Sequence, residues 1–320
     1  MSNTRFKIPT IITDYLGMAT ALVGLLIIFG STTENFLTKN NFIMIANQSA
    51  DITIMAVGMT FVLIIAGIDL SVGSVMALSG ATLGVLLYKL NVPWPLAILA
   101  CPIVGLLCGI ANGVIITQWK LPSFIVTLGM LEVARGATYI LTGSDTLYVS
   151  DKLAFFTDIT FFGLTIPVYA ALTIVIIAQF VLSKTVFGRY MVAVGTNEEA
   201  LRLSGINPRP IKIAVFVICA LLASLAAIIY TARYQANPNN GVGLELQVIA
   251  AVVIGGTSLM GGRGSVITTF LGVLIIRILG TGLAQADAQE HTKRLITGCV
   301  IVAAVILDHY RQRIRKAKAE

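Results

Sequence analysis

The residue types best suited to chemistry in this chain sit in two polar, glycine-bearing segments. They are Ile65-Ala-Gly-Ile-Asp-Leu-Ser-Val-Gly-Ser-Val75 and Ile254-Gly-Gly-Thr-Ser-Leu-Met-Gly-Gly-Arg-Gly-Ser-Val266. In the second, Gly256-Thr-Ser-Leu-Met-Gly261 has the glycine spacing of a phosphate-binding loop but continues Gly262-Arg263. A nucleotide loop needs a lysine for the terminal phosphates and a hydroxyl for magnesium, so this chain is not expected to hydrolyse ATP itself. Cys101, Cys108, Cys219 and Cys299 have no CxxC spacing, and His291 and His309 stand alone. That pattern predicts inert thiols, no metal and no cofactor bound by the chain. With no nucleophile-His-Asp arrangement either, an enzyme is not expected, and function must lie in what the chain lets through.

Charges inside apolar runs are the other candidates, because each costs roughly 2.5–3.5 kcal/mol at a helix centre on insertion scales. Glu132 and Arg135 lie three apart on one helix face, which predicts a structural pair. Arg277 has no partner in its own run and could meet Glu132 across a bundle or snorkel outward. The glycines of the two polar segments permit tight turns and close helix approach, with Asp69 or Ser71 able to cap the helix that follows. The same residues could form a paired inner gate, since a tight turn at an exit is also where a gate belongs. The candidates for the solute path or gate are Asp69, Ser71, Gly73, Thr127, Thr257, Ser258 and Gly261.

Membrane helices must position these residues. Only 12% of the chain is charged and the mean hydropathy is +0.90, where soluble domains carry about 25% charge. Runs long enough to cross roughly 30 Å of hydrocarbon predict about ten helices, at 14–30, 51–66, 73–88, 95–117, 122–141, 165–182, 212–232, 246–260, 264–283 and 292–308. The first is read as a retained span, since no small-x-small cleavage site follows it. Gly67 matches Gly256 at an offset of 189, and Gly73-Ser-Val matches Gly264-Ser-Val at 191. This predicts an internal parallel repeat, with halves at about 40–142 and 212–308, in one membrane domain spanning 1–320. With both termini in the cytosol, 14 of the 22 Lys and Arg fall on inner segments and 6 on outer ones, as the positive-inside rule requires. The net charge of +7 is then a topology signal, and no nucleic-acid partner is expected.

One long hydrophilic connection remains, the inner loop 183–212. In it Thr196-Asn-Glu-Glu199 reads as a capping box that starts a short helix. Glu198 and Arg202 are spaced to pair on its surface. Gly205 can end it, and Pro208 and Pro210 prevent its resumption. Ala200, Leu203 and Ile206 are available to dock. By pattern alone the helix either covers the membrane face or engages a partner.

Gly67-Ile-Asp-Leu-Ser-Val-Gly73, Pro122-Ser-Phe-Ile-Val-Thr-Leu-Gly129, Phe187-Gly-Arg-Tyr190 with Ala193-Val-Gly-Thr-Asn197, Leu203-Ser-Gly-Ile206, and the run from Leu244 to Gly262 resemble, in order, the membrane permease of ribose-type bacterial ABC importers. The resemblance spans residues 34 to 308. It implies an inner-membrane permease that pairs with a second copy or a paralogue and receives a monosaccharide, ribose or another pentose, from a periplasmic binding protein. It also implies that a cytosolic ATPase drives transport with its own ATP. The loop helix at 197–204 then becomes the coupling element seated in an ATPase groove, with Gly188, Arg189, Gly195, Asn197, Glu198, Glu199, Ala200, Arg202 and Gly205 as the coupling residues. Gln247 departs from the resemblance, standing where an acidic residue is expected. An ion-coupled secondary transporter using Glu132, Arg135 and Arg277 as a relay is the alternative, and it has no need of a capped inner helix.

Overall fold

The structure, a computed structural model, describes residues 10–317. It is an all-α, multi-pass membrane protein. Its helices are α1 (Thr10–Thr32), α2 (Lys39–Ile64), α3 (Val72–Gly84), α4 (Trp94–Gln118), α5 (Ser123–Thr142), the short α6 (Ser150–Leu153) and α7 (Phe155–Asp158), α8 (Ile166–Lys184), α9 (Val186–Leu203), α10 (Pro208–Tyr234), α11 (Leu244–Ile254), α12 (Val266–Gln285) and α13 (Glu290–Ala317). A π-helical turn, Val85–Lys89, extends α3. A two-residue hairpin, β1 (Thr160–Phe161) with β2 (Leu164–Thr165), is the sole sheet among the described residues.

Seven helices among the described residues are long and apolar enough to cross a membrane: α2, α3 with its π turn, α4, α5, α8, α10 and α12. The ten expected spans are thus met in seven. The expected span 246–260 is cut to α11, whose 11 residues reach only about 16 Å. It stops at Ile254 because Gly255 and Gly256 close the helix in a tight turn. The span expected to begin at 51 begins instead at Lys39, where the Thr38 hydroxyl accepts the Asn41 amide. α10 begins at Pro208 rather than 212, its first turn capped by the Asn207 side chain; proline is suited to a first turn, where its missing N–H is not needed.

α2 is the central helix. Every residue from Ser49 to Ile65 is buried, and α10, α12, α8 and α11 pack around it. A helix apolar on all sides belongs in such a core. The outer helices α4, α5 and α8 expose large apolar side chains, among them Leu99, Ile103, Leu107, Ile140, Ile176 and Phe180. Connections sort into two faces. On one, Lys89 donates to the carbonyls of Leu141 and Thr142, Leu147 pairs with Ala236, Asn47 holds Gly163 and Thr165, and Gln285 donates to Asn41. On the other, the Ser265 hydroxyl and the Val266 amide donate to Gln179, and Lys212 pairs with Glu198. Successive long helices run alternately between these faces.

Candidate functional site

Both polar segments are helix breaks built on the same turn. After α2 the Ala66 amide donates to the Leu63 carbonyl and the Gly67 amide to Val62; after α11 the Gly256 amide donates to Val253 and the Thr257 amide to Val252. Each is a Schellman closure, with Ala66 (φ 59°) and Gly256 (φ 84°) in the left-handed position. The turns therefore correspond at an offset of 190, one more than the glycine match at 189. Beyond the turns the correspondence ends. Gly73 lies inside α3, whereas Gly264 precedes Ser265, whose hydroxyl caps α12.

The first break is held by side chains from α4 and α5. Asp69 is wholly buried and its Oδ1 accepts the Ser71 amide at 2.9 Å and the Ser71 hydroxyl at 2.6 Å. Asn112 donates to that hydroxyl at 3.1 Å. The Ser123 hydroxyl accepts the Ile68 amide, and Thr127 accepts the Leu70 amide while lying 3.2 Å from the Ile68 carbonyl. Ser71 is the cap residue of α3 but gives it no side-chain bond; Asp69 captures its hydroxyl instead. In the second break Thr257 and Ser258 are buried, and the Ser258 amide closes the loop onto the Arg263 carbonyl.

The two breaks meet α9 at one junction. The Gly262 amide donates to the Ile64 carbonyl at 2.8 Å. A Cβ on Gly195 would overlap the Ile64 carbonyl and crowd the Gly262 amide, and one on Gly261 would fall 2.8 Å from Ala66. Gly195 is thus the point where α9 touches both breaks through bare backbone. Further up α9, Gly188 is buried and any Cβ there would overlap the Leu182 carbonyl, while Arg189 stays exposed in the first turn.

α9 is longer than the short helix expected at 197–204, and it is kinked. Thr185 caps its start through the Gly188 amide, so Thr196 remains helical and its hydroxyl bonds back to the Val192 carbonyl at 2.7 Å. The cap of the second segment is consequently Asn197, extended at φ −160°, whose Oδ1 accepts the Ala200 amide at 2.9 Å. That one-residue shift overturns the Thr196–Glu199 capping box. It also changes the ion pairs: Arg202 grips Glu199 with bonds of 2.6 and 3.1 Å, and Glu198 goes to Lys212 at 3.1 Å. The Arg202 hydrogen bonds hold the Glu199 carboxyl below its ordinary range and raise the guanidinium, so both stay charged. Gly205, at φ 86°, ends the helix as expected. Leu201 and Ile206 pack inward, while Ala200 is exposed and Leu203 is 78% exposed. Beside this segment a recess of about 470 Å³ opens among Lys120, Glu198, Glu199, Arg202, Arg209 and Lys212.

Three charged residues are placed otherwise than expected. Arg135 does not pair with Glu132; its Nη1 donates to the Pro238 and Asn240 carbonyls, each at 2.6 Å, and Glu132 is exposed. Arg277 meets Asp51, at 3.2 Å, with Arg233 at 3.8 Å from the same carboxylate. A relay of Glu132, Arg135 and Arg277 is therefore not assembled. Neither Asp51 nor Arg233 was among the candidates that the sequence singled out. Because α2 begins at Lys39 rather than at 51, Asp51 lies in the helix interior, where it meets Arg233 of α10 and Arg277 of α12.

Residues 41–305, most of the chain, match the family of the branched-chain amino acid transport system / permease component. The chain belongs to this permease family. The permease is 40% identical over 296 residues to the ribose import permease protein RbsC of Haemophilus influenzae, covering 91% of each chain. It is 39% identical to the Escherichia coli K12 ribose import permease, covering 91% of this chain and 92% of that one. The L-arabinose ABC transporter permease protein AraH of Azospirillum brasilense is 35% identical over 89% of this chain and 85% of its own. No solved structure matches. As a transport component, the permease is not an enzyme.

Proposed function

We propose that the chain is the membrane permease of an ATP-driven importer, passing a monosaccharide, ribose or another pentose, from a periplasmic binding protein to the cytosol. Its similarity to the ribose and arabinose permeases supports the cargo. The observation that carries the mechanism is the junction at Gly195, where α9 touches both helix breaks while its second segment turns Ala200 and Leu203 outward. A cytosolic ATPase seated on that segment would move the breaks through α9, and the buried polar residues Asp69, Ser71, Thr127, Thr257 and Ser258 would open or close the inner end of the path. Two permease chains, identical or paralogous, flank the path. The termini and α9 lie on the cytosolic side of the bacterial inner membrane, as the basic residues require, and the shared break turns belong to parallel halves at about 40–142 and 212–308.

Ala200→Arg tests this. A helix that only covers the membrane face tolerates the change, since the new charge stays solvated; a helix seated in a groove does not, because docking would strip that charge of water. The expected result is a folded permease that fails to retain the ATPase on co-purification, or retains it without sugar uptake in reconstituted vesicles. Unchanged co-purification, hydrolysis and uptake would return α9 to a surface covering.

A further inference from the structure

A polar cluster beside the middle of α5 has no part in the junction. The segment 235–243 leaves α10 and follows α3 back into the protein: a Cβ on Gly84 would touch Ala236, and one on Gly73 would touch Gly241. Gly84 lies eleven positions after Gly73 in α3, so the segment descends about 16 Å. It brings the first turn of α11 against the first turn of α3. There Gly73 leaves room for a carboxylate, since a Cβ on it would lie 2.6 Å from Glu245 Oε2. Arg135 reaches the same segment through the Pro238 and Asn240 carbonyls, within the electrostatic reach of Glu245 and, more weakly, of Glu132. Ser74, in the first turn of α3, is 1% exposed and its hydroxyl has no hydrogen-bond partner.

The Glu132 side chain on α5 is unfit for lipid. Glu132 is exposed midway along a helix of 20 residues, and a Cβ on neighbouring Gly129 or Gly136 meets nothing within 4 Å. A carboxylate at that depth belongs against protein or in a water-filled cavity. Charged groups of α5 and α11 thus lie within the membrane span beside the first turn of α3.

We propose that Glu245, with Glu132 on α5, is a mid-membrane waypoint that accepts hydrogen bonds from the hydroxyls of a neutral polyhydroxylated solute. Carboxylates accept such bonds at two oxygens, and Arg135 offsets one of the two negative charges. The amide ends of α3 and α11 add donors for the solute's oxygens. The inference rests on the importer reading and assigns the groups within its path.

The test reconstitutes the permease with its ATPase and binding protein in vesicles and follows radiolabelled ribose uptake and ATP hydrolysis together. Glu245→Gln is expected to lower ribose moved per ATP by about tenfold or more, as for loss of a charge-assisted bond, with stimulated hydrolysis within about twofold of wild type. Glu245→Gln with Arg135→Met separates the roles: continued loss supports solute contact, and recovery means that Glu245 only neutralises Arg135. Unchanged ribose per ATP in Glu245→Gln also overturns the proposal. Independently of those variants, Glu132→Cys on a cysteine-free background should react with a charged thiosulfonate, more slowly in excess ribose; no reaction would mean a lipid-facing side chain and sink the waypoint. Absence of ATP-dependent ribose uptake by the wild type would instead fail the importer reading.

Discussion

Asp51 meets two guanidinium groups, those of Arg233 and Arg277. It is wholly buried in α2, and its Oδ1 takes both the Ile52 amide at 2.9 Å and Arg277 at 3.2 Å. Arg233 approaches Oδ2 while donating to the Asn47 carbonyl at 2.7 Å. One carboxylate thus ties α2 to α10 and α12. Removing one member of a buried ionic group leaves the others uncompensated, at a cost of about 3–5 kcal/mol. Asp51→Asn is therefore expected to lower stability by that order, read as a clear fall in the thermal midpoint in detergent, and Asp51→Asn with Arg277→Met to recover part of it. An unchanged midpoint for the single variant would show that the triad is solvated and not a fastening.

At the scale of elements, the decisive feature is backbone meeting backbone. α9 can sit on the breaks after α2 and α11 only because Gly195, Gly261 and Gly262 present no side chain there. Gly195→Ala inserts a methyl group into the Ile64 carbonyl, and overpacking of this kind costs about 1–3 kcal/mol. The strain falls on the junction, at the last turn of α2. The expected outcome is a permease of near-normal abundance in which binding protein no longer stimulates hydrolysis by the ATPase. Full stimulation in Gly195→Ala would mean that α9 does not transmit through the breaks.

For the whole molecule, the two clusters of connections define two faces, and the basic residues assign them. Phe162, at the tip of the β1–β2 hairpin, is 97% exposed on one face, and Ser204 is exposed on the other. On a cysteine-free background, Phe162→Cys is expected to react with an impermeant thiol reagent applied to intact cells, and Ser204→Cys to react only after lysis. Reversed labelling would invert the molecule and place α9 on the wrong side for a cytosolic ATPase.

Composition and hydropathy alone determined that the chain is a bundle of membrane helices, and tight-turn residues marked both breaks and the Gly205 stop. Those signals are local: a run of apolar residues or a left-handed glycine needs only its neighbours in the chain to be read. The ends of elements were less legible, because the same residues can cap at adjacent positions. Thr196 and Asn197 are both capable caps, and the preceding turns of α9, which the loop's polarity concealed, hand the role to Asn197. Long-range charge partners were not legible at all. Arg277 finds Asp51 across 226 residues, and Arg135 forgoes Glu132, one turn away, for carbonyls that segment 235–243 carries down beside it. Only tertiary packing, which decides which desolvated charges share a site, could choose between a neighbour on the same helix and a group from a distant one.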